Sequence, residues 1–208
     1  MKTKLMALAA FFTFCIASAQ QQIVDQELNS AKGVQFQKGD MFIEGSLKIS
    51  TASNTDYFAF TPKFGYLLND KFAIGANLNF GNEKDKGAEA GKDVKSTVFG
   101  AGGFARYYFL HLDSKRFKAY TEAGLGFGRN TKKSPTIDET NNSITANIAV
   151  GLNYFITKNI AATFTLANVL SYNSVSPEDG SSSNTFELNL NLFENIFAQP
   201  QFGLLYKF

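Results

Sequence analysis

The sequence predicts an all-β fold, an eight-stranded antiparallel up-and-down barrel that spans a membrane with its strands. Three observations predict it. Apolar and polar residues alternate with a period of two from about Gly39 onward, which suits strands with one apolar face and not helices. Connections between the alternating stretches switch between short turns and long polar segments, as on the two rims of a transmembrane barrel. The polar positions carry mainly Gly, Ala, Thr, Asn and Ser, which fit a narrow lumen, where a water-washed face would carry more Lys and Glu. A soluble exported barrel with an apolar ligand inside has the same alternation with its faces reversed, and parity by itself does not separate the two.

The N-terminus is expected to be removed. Lys2 and Lys4 precede the apolar run Leu5–Ile16, and Ala17-Ser18-Ala19 is a small-residue cleavage site, with Gln20 opening the mature chain. The run is too short to span a bilayer as a helix, which takes about 20 residues. Phe14 before Cys15 argues against lipidation. Residues 1–19 are thus read as a signal peptide, 20–38 as a polar periplasmic lead-in and 39–208 as the barrel.

Each strand is justified by its parity. Met41, Ile43, Leu47 and Ile49 oppose Glu44, Ser46 and Lys48. Phe58, Phe60, Phe64 and Tyr66 oppose Ala59, Thr61, Lys63 and Gly65. After an Asn69-Asp70 turn, Phe72, Ile74, Leu78 and Phe80 oppose Ala73, Gly75, Asn77 and Asn79. Phe99, Ala101, Ala105, Tyr107 and Phe109 oppose Gly100, Gly102, Arg106 and Tyr108. Phe117, Ala119, Ala123, Leu125 and Phe127 oppose Lys118, Tyr120, Glu122 and a run of glycines. Ile144, Ile148, Val150, Leu152 and Tyr154 follow, then Ile160, Ala162, Phe164, Leu166 and Leu170. The last strand holds Phe186, Leu188, Leu190 and Leu192, is interrupted at Glu194–Pro200, and resumes at Phe202, Leu204, Tyr206 and Phe208. Long polar loops are expected at Asn82–Lys95, Asn130–Asn142 and Asn173–Ser183, with Ser50–Thr55 a short exception. Tyr66, Phe72, Tyr107, Phe109, Phe117, Tyr154 and Tyr206 fall near the short-turn rim, where an interfacial girdle belongs.

The C-terminus, Gln201-Phe202-Gly203-Leu204-Leu205-Tyr206-Lys207-Phe208, resembles the assembly signal of bacterial outer-membrane proteins, with Gly203, Tyr206 and Phe208 as its marks. With the Arg106-Tyr107-Tyr108-Phe109 run, it makes the chain from about Gly39 resemble the small outer-membrane barrels of the OmpA and OmpX type. The resemblance implies a Gram-negative outer-membrane location and recognition by the barrel-assembly machinery, while no peptidoglycan-binding domain is expected, since the sequence ends at its last strand. It specifies fold and compartment better than activity.

Composition narrows the chemistry. Without Lys2 and Lys4 the chain holds 18 Lys+Arg against 18 Asp+Glu, so no basic surface points to nucleic acid. The single Cys lies in the signal segment, which leaves no disulfide framework or thiolate site. A single His excludes multi-His metal sites. His111 is expected in a short periplasmic turn beside Leu112-Asp113-Ser114, more a solvated or capping residue than a catalytic base. The glycine runs Gly124, Gly126, Gly128 and Gly100, Gly102, Gly103 lack the strand-to-helix context of a phosphate loop. They are read as room for large inward neighbours such as Tyr108 or Tyr120, or as permitting the bend of a small barrel.

Candidate site residues lie on the inward parity: Glu44, Lys48, Lys63, Arg106, Lys118, Glu122 and Glu187. Buried ions must pair, and Arg106 with Glu122 on consecutive strands is the expected lumen pair. The sequence therefore predicts a monomeric, non-catalytic barrel without cofactor or metal. Its expected role is structural or in cell-surface interaction, with outer-membrane lipid and lipopolysaccharide as partners. The loop charges Glu83-Lys84-Asp85-Lys86, Arg129–Lys133 and Asp138-Glu139 form no calcium-binding rhythm and leave room for adhesion or lipopolysaccharide contact. The alternative is a narrow conduit or binding site for a small, hydrophobic molecule.

Overall fold

The computed structural model describes residues 34–89, 92–111, 116–134, 136, 138–177, 180–188 and 201–208. Nine strand segments run in chain order: β1 (Met41–Thr51), β2 (Thr55–Asn69), β3 (Phe72–Glu89), β4 (Lys92–His111), β5 (Phe117–Lys133), β6 (Asp138–Phe155), β7 (Ile160–Pro177), β8 (Ser183–Leu188) and β9 (Gln201–Lys207). Each neighbour pair is antiparallel, and β1 closes on β9 while β6 pairs β7, so the sheet returns on itself as a barrel. Among the described residues no helix is long and apolar enough to cross a membrane.

Nine segments make eight staves. β8 pairs the upper part of β7 (Val175↔Ser183 to Leu170↔Leu188), and β9 pairs its lower part (Thr165↔Gln201 to Ile160↔Tyr206). The two segments follow one another along the same neighbour, as halves of one barrel strand. The interruption expected at Glu194–Pro200 lies outside the described residues.

The side chains settle which parity faces which way. Ile43, Ile49, Phe64, Phe99, Leu125, Phe127, Ile144 and Phe202 are exposed on the outer wall, while Phe42, Glu44, Arg106, Tyr108, Tyr120 and Asn153 are buried in the lumen. An apolar exterior around a polar and aromatic interior is the arrangement for lipid, because a water-soluble barrel would hide the first set. At the short-turn rim the aromatic rings of Phe117 and Tyr154 lie 4.9 Å apart, and Tyr206 stands edge-on to Phe208 at 5.1 Å.

The long polar segments are not loops for most of their length. β3 and β4 stay paired out to Asp85↔Val94, and Glu89 still faces Lys92. β5 and β6 stay paired to Lys133↔Asp138. Thr and Asn side chains tie the ribbons across strands: Ser96 Oγ donates to Asn130 Oδ1 at 2.6 Å and Thr97 Oγ1 to Asn82 Oδ1 at 3.1 Å. These segments read as loops because they lack apolar alternation, but a ribbon standing in water has no lipid to face and needs none. The turn between β2 and β3 is capped by Asn69, whose Oδ1 accepts from the backbone N–H groups of Lys71 and Phe72, both at 2.9 Å.

Of the polar lead-in, residues 34–38 are described. Phe36 enters the lumen and packs on Tyr108 (4.5 Å), Phe155 (5.5 Å) and Phe42 (6.3 Å). Gly39, at φ 94°, then turns the chain into β1, a conformation that suits glycine.

Candidate functional site: a charged layer and an aromatic floor in the lumen

The site begins with strand register. Glu44 on β1 lies directly opposite Lys63 on β2, and Arg106 on β4 opposite Glu122 on β5. All four project into the lumen. Arg106 Nε donates to Glu122 Oε2 at 2.8 Å, its Nη1 donates to Glu44 Oε2 at 2.7 Å, and its Nη2 lies 2.6 Å from Glu122 Oε2. Lys63 donates to Glu122 Oε1 and lies 3.9 Å from Glu44 Oε1. Two cations and two carboxylates thus form one neutral layer across the lumen, bridging β1, β2, β4 and β5.

Aromatic rings enclose the guanidinium. Its carbon lies 4.1 Å from the ring centre of Tyr120, 5.2 Å from Phe42 and 5.5 Å from Phe104. Stacked and hydrogen-bonded in this way, Arg106 is fully buried. The Tyr108 hydroxyl accepts from Asn153 Nδ2 at 3.3 Å and lies 3.4 Å from Arg106 Nη1, which ties the layer to the aromatic floor beneath it. That floor is Phe36, Phe42, Leu67, Tyr108, Tyr120 and Phe155.

The large rings fit because glycines face them. Phe42 pairs with Gly65, Phe104 with Gly75 and Tyr120 with Gly151 across neighbouring strands. A Cβ at Gly65 or Gly151 would collide with the Phe42 or Tyr120 ring itself. The glycines singled out by sequence are different ones. Gly124 faces Asn147, Gly126 faces Thr145 and Gly128 faces Ser143, so those runs give room to small polar side chains rather than to Tyr108 or Tyr120.

The remaining predicted residues lie elsewhere. Lys118 is fully buried and in register with Asn153, on the short-turn side of the charged layer. Lys48 lies 5.4 Å from the Tyr57 ring centre, toward the opposite rim. Glu187 is exposed on β8, its Oε2 3.4 Å from Ser171 Oγ, and takes no part in the layer. Its strand is exposed along its length and pairs the upper part of β7, away from the layer. His111 ends β4 opposite Lys118; its side chain, like residues 112–115, lies outside the described residues. So do Ala17 and Ala19. Phe36, Phe42 and Phe104 belong to the site without having been singled out. Phe42 and Phe104 were detectable as large apolar residues on the polar parity, each able to face a glycine.

Above the layer the lumen changes character. A cavity of about 470 Å³ is lined by Asn77, Asn79, Asn130, Asn141 and Asn173, with Gly100, Gly126 and Gly128 leaving the space. Among the described residues no group of three or more His, Cys, Asp or Glu could hold a metal ion. Chemically, the arrangement seals and braces: a neutral ion cluster on a packed floor, under a polar vestibule.

Comparison with known proteins agrees with this architecture. Solved structures similar in fold include the outer membrane protein OprG from Pseudomonas aeruginosa, at 12% identity and TM-score 0.51 over 84% of this chain and 98% of that one. The N-terminal β-barrel domain of Pseudomonas aeruginosa OprF is similar at 17% identity and TM-score 0.48, over 84% and 100%. Neisserial surface protein A is similar at 19% identity and TM-score 0.48, over 81% and 96%. No curated protein sequence matches the chain. The sequence model described as "Outer membrane protein beta-barrel domain" matches residues 6–192. A lipid-facing apolar wall, an up-and-down closed sheet and that match over most of the length agree, and the chain belongs to the outer membrane protein β-barrel family.

Proposed function

We propose that this outer-membrane barrel is a closed, monomeric, non-catalytic wall protein whose ribbons meet the cell surroundings. One observation carries the reading: the lumen is shut by the Arg106 layer and its aromatic floor, with Arg106, Phe42, Tyr108 and Phe155 all at 0% exposure. A conduit needs a continuous path, and an apolar ligand site needs an apolar hollow; the vestibule here has a mixed lining, with carboxamides beside Val98 and Val175. Among the described residues the layer holds cations against carboxylates with no nucleophile beside a base, an arrangement that supports bracing rather than turnover.

Export follows the Sec route with Met1–Ala19 removed, and folding is directed by the barrel-assembly machinery through Gly203, Tyr206 and Phe208. The position of β9 supports this: it is the closing strand, with Gly203 opposite both Ser46 and Thr163, and the Phe208 N–H donates to Met41 O at 2.9 Å. Outer-leaflet lipid and lipopolysaccharide are the partners of the outer wall and ribbons.

The test is conductance of the full chain folded into planar bilayers, beside heat-modifiable gel mobility. A heat-modifiable barrel with no steady current is expected. A stable open channel would overturn the closed reading, and extraction of the native protein from membranes by carbonate alone would overturn the membrane reading.

A further inference from the structure

Glycines at the two levels of the lumen are used differently. Around the floor and the Arg106 layer each faces a ring that fills its space: Gly65 faces Phe42, Gly75 faces Phe104 and Gly151 faces Tyr120. In the vestibule glycine faces glycine, with Gly100 opposite Gly128 and Gly102 opposite Gly126. These form a bare patch of backbone on the lumen side of β4 and β5. The cavity of about 470 Å³ reaches Gly100, Gly126 and Gly128 directly. An eight-stranded barrel is just wide enough for side chains to fill. Filling it adds packing contacts, so stability by itself gives no reason for a hollow here.

Strand register builds walls around the patch. On one side Asn77 and Asn79 of β3 stand opposite Gly102 and Gly100. On the other, Thr145 and Ser143 of β6 stand opposite Gly126 and Gly128, and Asn173 of β7 follows Thr145. One row toward the ribbons, Asn130 lies between Val98 and Asn141. From β3 to β6 is three strand spacings, about 14 Å, and successive inward rows lie about 7 Å apart.

Hydrogen bonds set the chemistry of the walls. Thr61 Oγ1 donates to Asn79 Oδ1 at 3.3 Å, and Ser96 Oγ donates to Asn130 Oδ1 at 2.6 Å. Each of these carboxamide oxygens is met by a hydroxyl of the barrel, and the amide N–H groups are left to donate into the cavity. Of the lining residues Lys132 alone is charged, and it stands across from Glu139 on β6. Val98 and Val175 add apolar spots. An apolar occupant would strand the carboxamides without partners, and a free ion would find no matching set of charges. An uncharged molecule with hydroxyls around a C–H frame matches both parts of the lining.

We propose that the patch of Gly100, Gly102, Gly126 and Gly128 binds a neutral saccharide of one or two pyranose rings, entering from the ribbon side. The C–H face of a ring lies on the bare backbone, and its hydroxyls meet Asn77, Asn79, Asn130 and Thr145. Sugar binding here goes beyond the closed-barrel reading and does not require it: conductance tests the Arg106 layer, whereas sugar binding tests the hollow above it.

The test adds glucose, galactose, N-acetylglucosamine, maltose or lactose to the full isotope-labelled chain folded in phosphatidylcholine nanodiscs. At least one sugar should shift the backbone amide signals of Gly100, Gly102, Gly126 and Gly128 saturably. Asn77→Leu should weaken that sugar about tenfold, the scale of a hydrogen bond lost with its partner left unpaired. Gly126→Leu, which fills the hollow, should abolish binding. Leu125→Ala, on the exposed lipid face of the same strand, should leave it unchanged. The shifts in the wild-type chain do not depend on how any variant folds. If no sugar of the set moves the four glycine signals, the site is overturned. Shifts confined to the ribbons and outer wall would overturn it equally. Glucuronate binding more tightly than glucose would overturn the neutral class and mark an anion site centred on Lys132.

Discussion

Arg106 concentrates the energetics of the lumen in one residue. Its guanidinium touches both Glu44 and Glu122 and is stacked by three rings, so truncation removes charge, hydrogen bonds and packing together. Arg106→Ala leaves two buried carboxylates with Lys63 alone, and breaking such a cluster costs about 3–5 kcal/mol. The expected outcome is a heat-modifiable barrel that converts to its slow form at a distinctly lower temperature; unchanged heat stability would count against a bracing role. Glycine makes a second case. Gly151→Ala should destabilise by roughly 1–3 kcal/mol, because its Cβ enters the Tyr120 ring. The double variant Gly151→Ala with Tyr120→Leu should recover part of that loss in the same thermal assay. At this scale the sequence was only half legible. Arg106 with Glu122 follows from counting along two consecutive strands. Glu44 and Lys63 come into contact with that pair only when the sheet closes across the lumen, which no local pattern encodes. The facing of Phe42 by Gly65 needs the register, which a sequence shows only after the turn between β1 and β2 is fixed.

Strands were legible where lipid imposed an alternation, and illegible where water did not. The ribbon Asn82–Lys95 is held by backbone pairing, Asn and Thr contacts and the Lys84–Asp93 ion pair, none of which leaves a period-two signature. The segment before β1 hid for the opposite reason. Phe36 and Val34 are isolated apolar residues in a polar stretch, and only the hollow floor of the barrel gives them a place. The burial of Phe36 makes the described end of the lead-in, residues 34–38, part of the barrel's packing. Phe36→Ala empties a site between Tyr108, Phe155 and Phe42 and should cost about 3–5 kcal/mol, as for other buried Phe truncations. Thermal unfolding in detergent checks this. A change within 0.5 kcal/mol, the ordinary range for surface positions, would mean that Phe36 is not held in the floor.

The whole molecule combines an apolar outer wall with a polar lumen, which is how 44% hydrophobic residues and 14% aromatics coexist with a mean hydropathy of −0.13. Inside, the Arg106 layer divides the lumen into a vestibule and a packed floor, and that division predicts an asymmetry of access. The only cysteine of the chain is Cys15, in the segment expected to be cleaved, so a single engineered thiol reports its own surroundings. Asn141→Cys places a thiol on the wall of the vestibule, and Asn153→Cys places one in the fully buried floor. A membrane-impermeant maleimide added outside intact cells should label the first readily and leave the second unreacted, because access and thiolate character together set the rate. Adding Arg106→Ala to the Asn153→Cys chain opens the layer without touching the outer wall, and labelling from outside should then appear. Equal labelling of both positions in the otherwise wild-type barrel would show a continuous aqueous path, and the closed lumen would give way to the conduit.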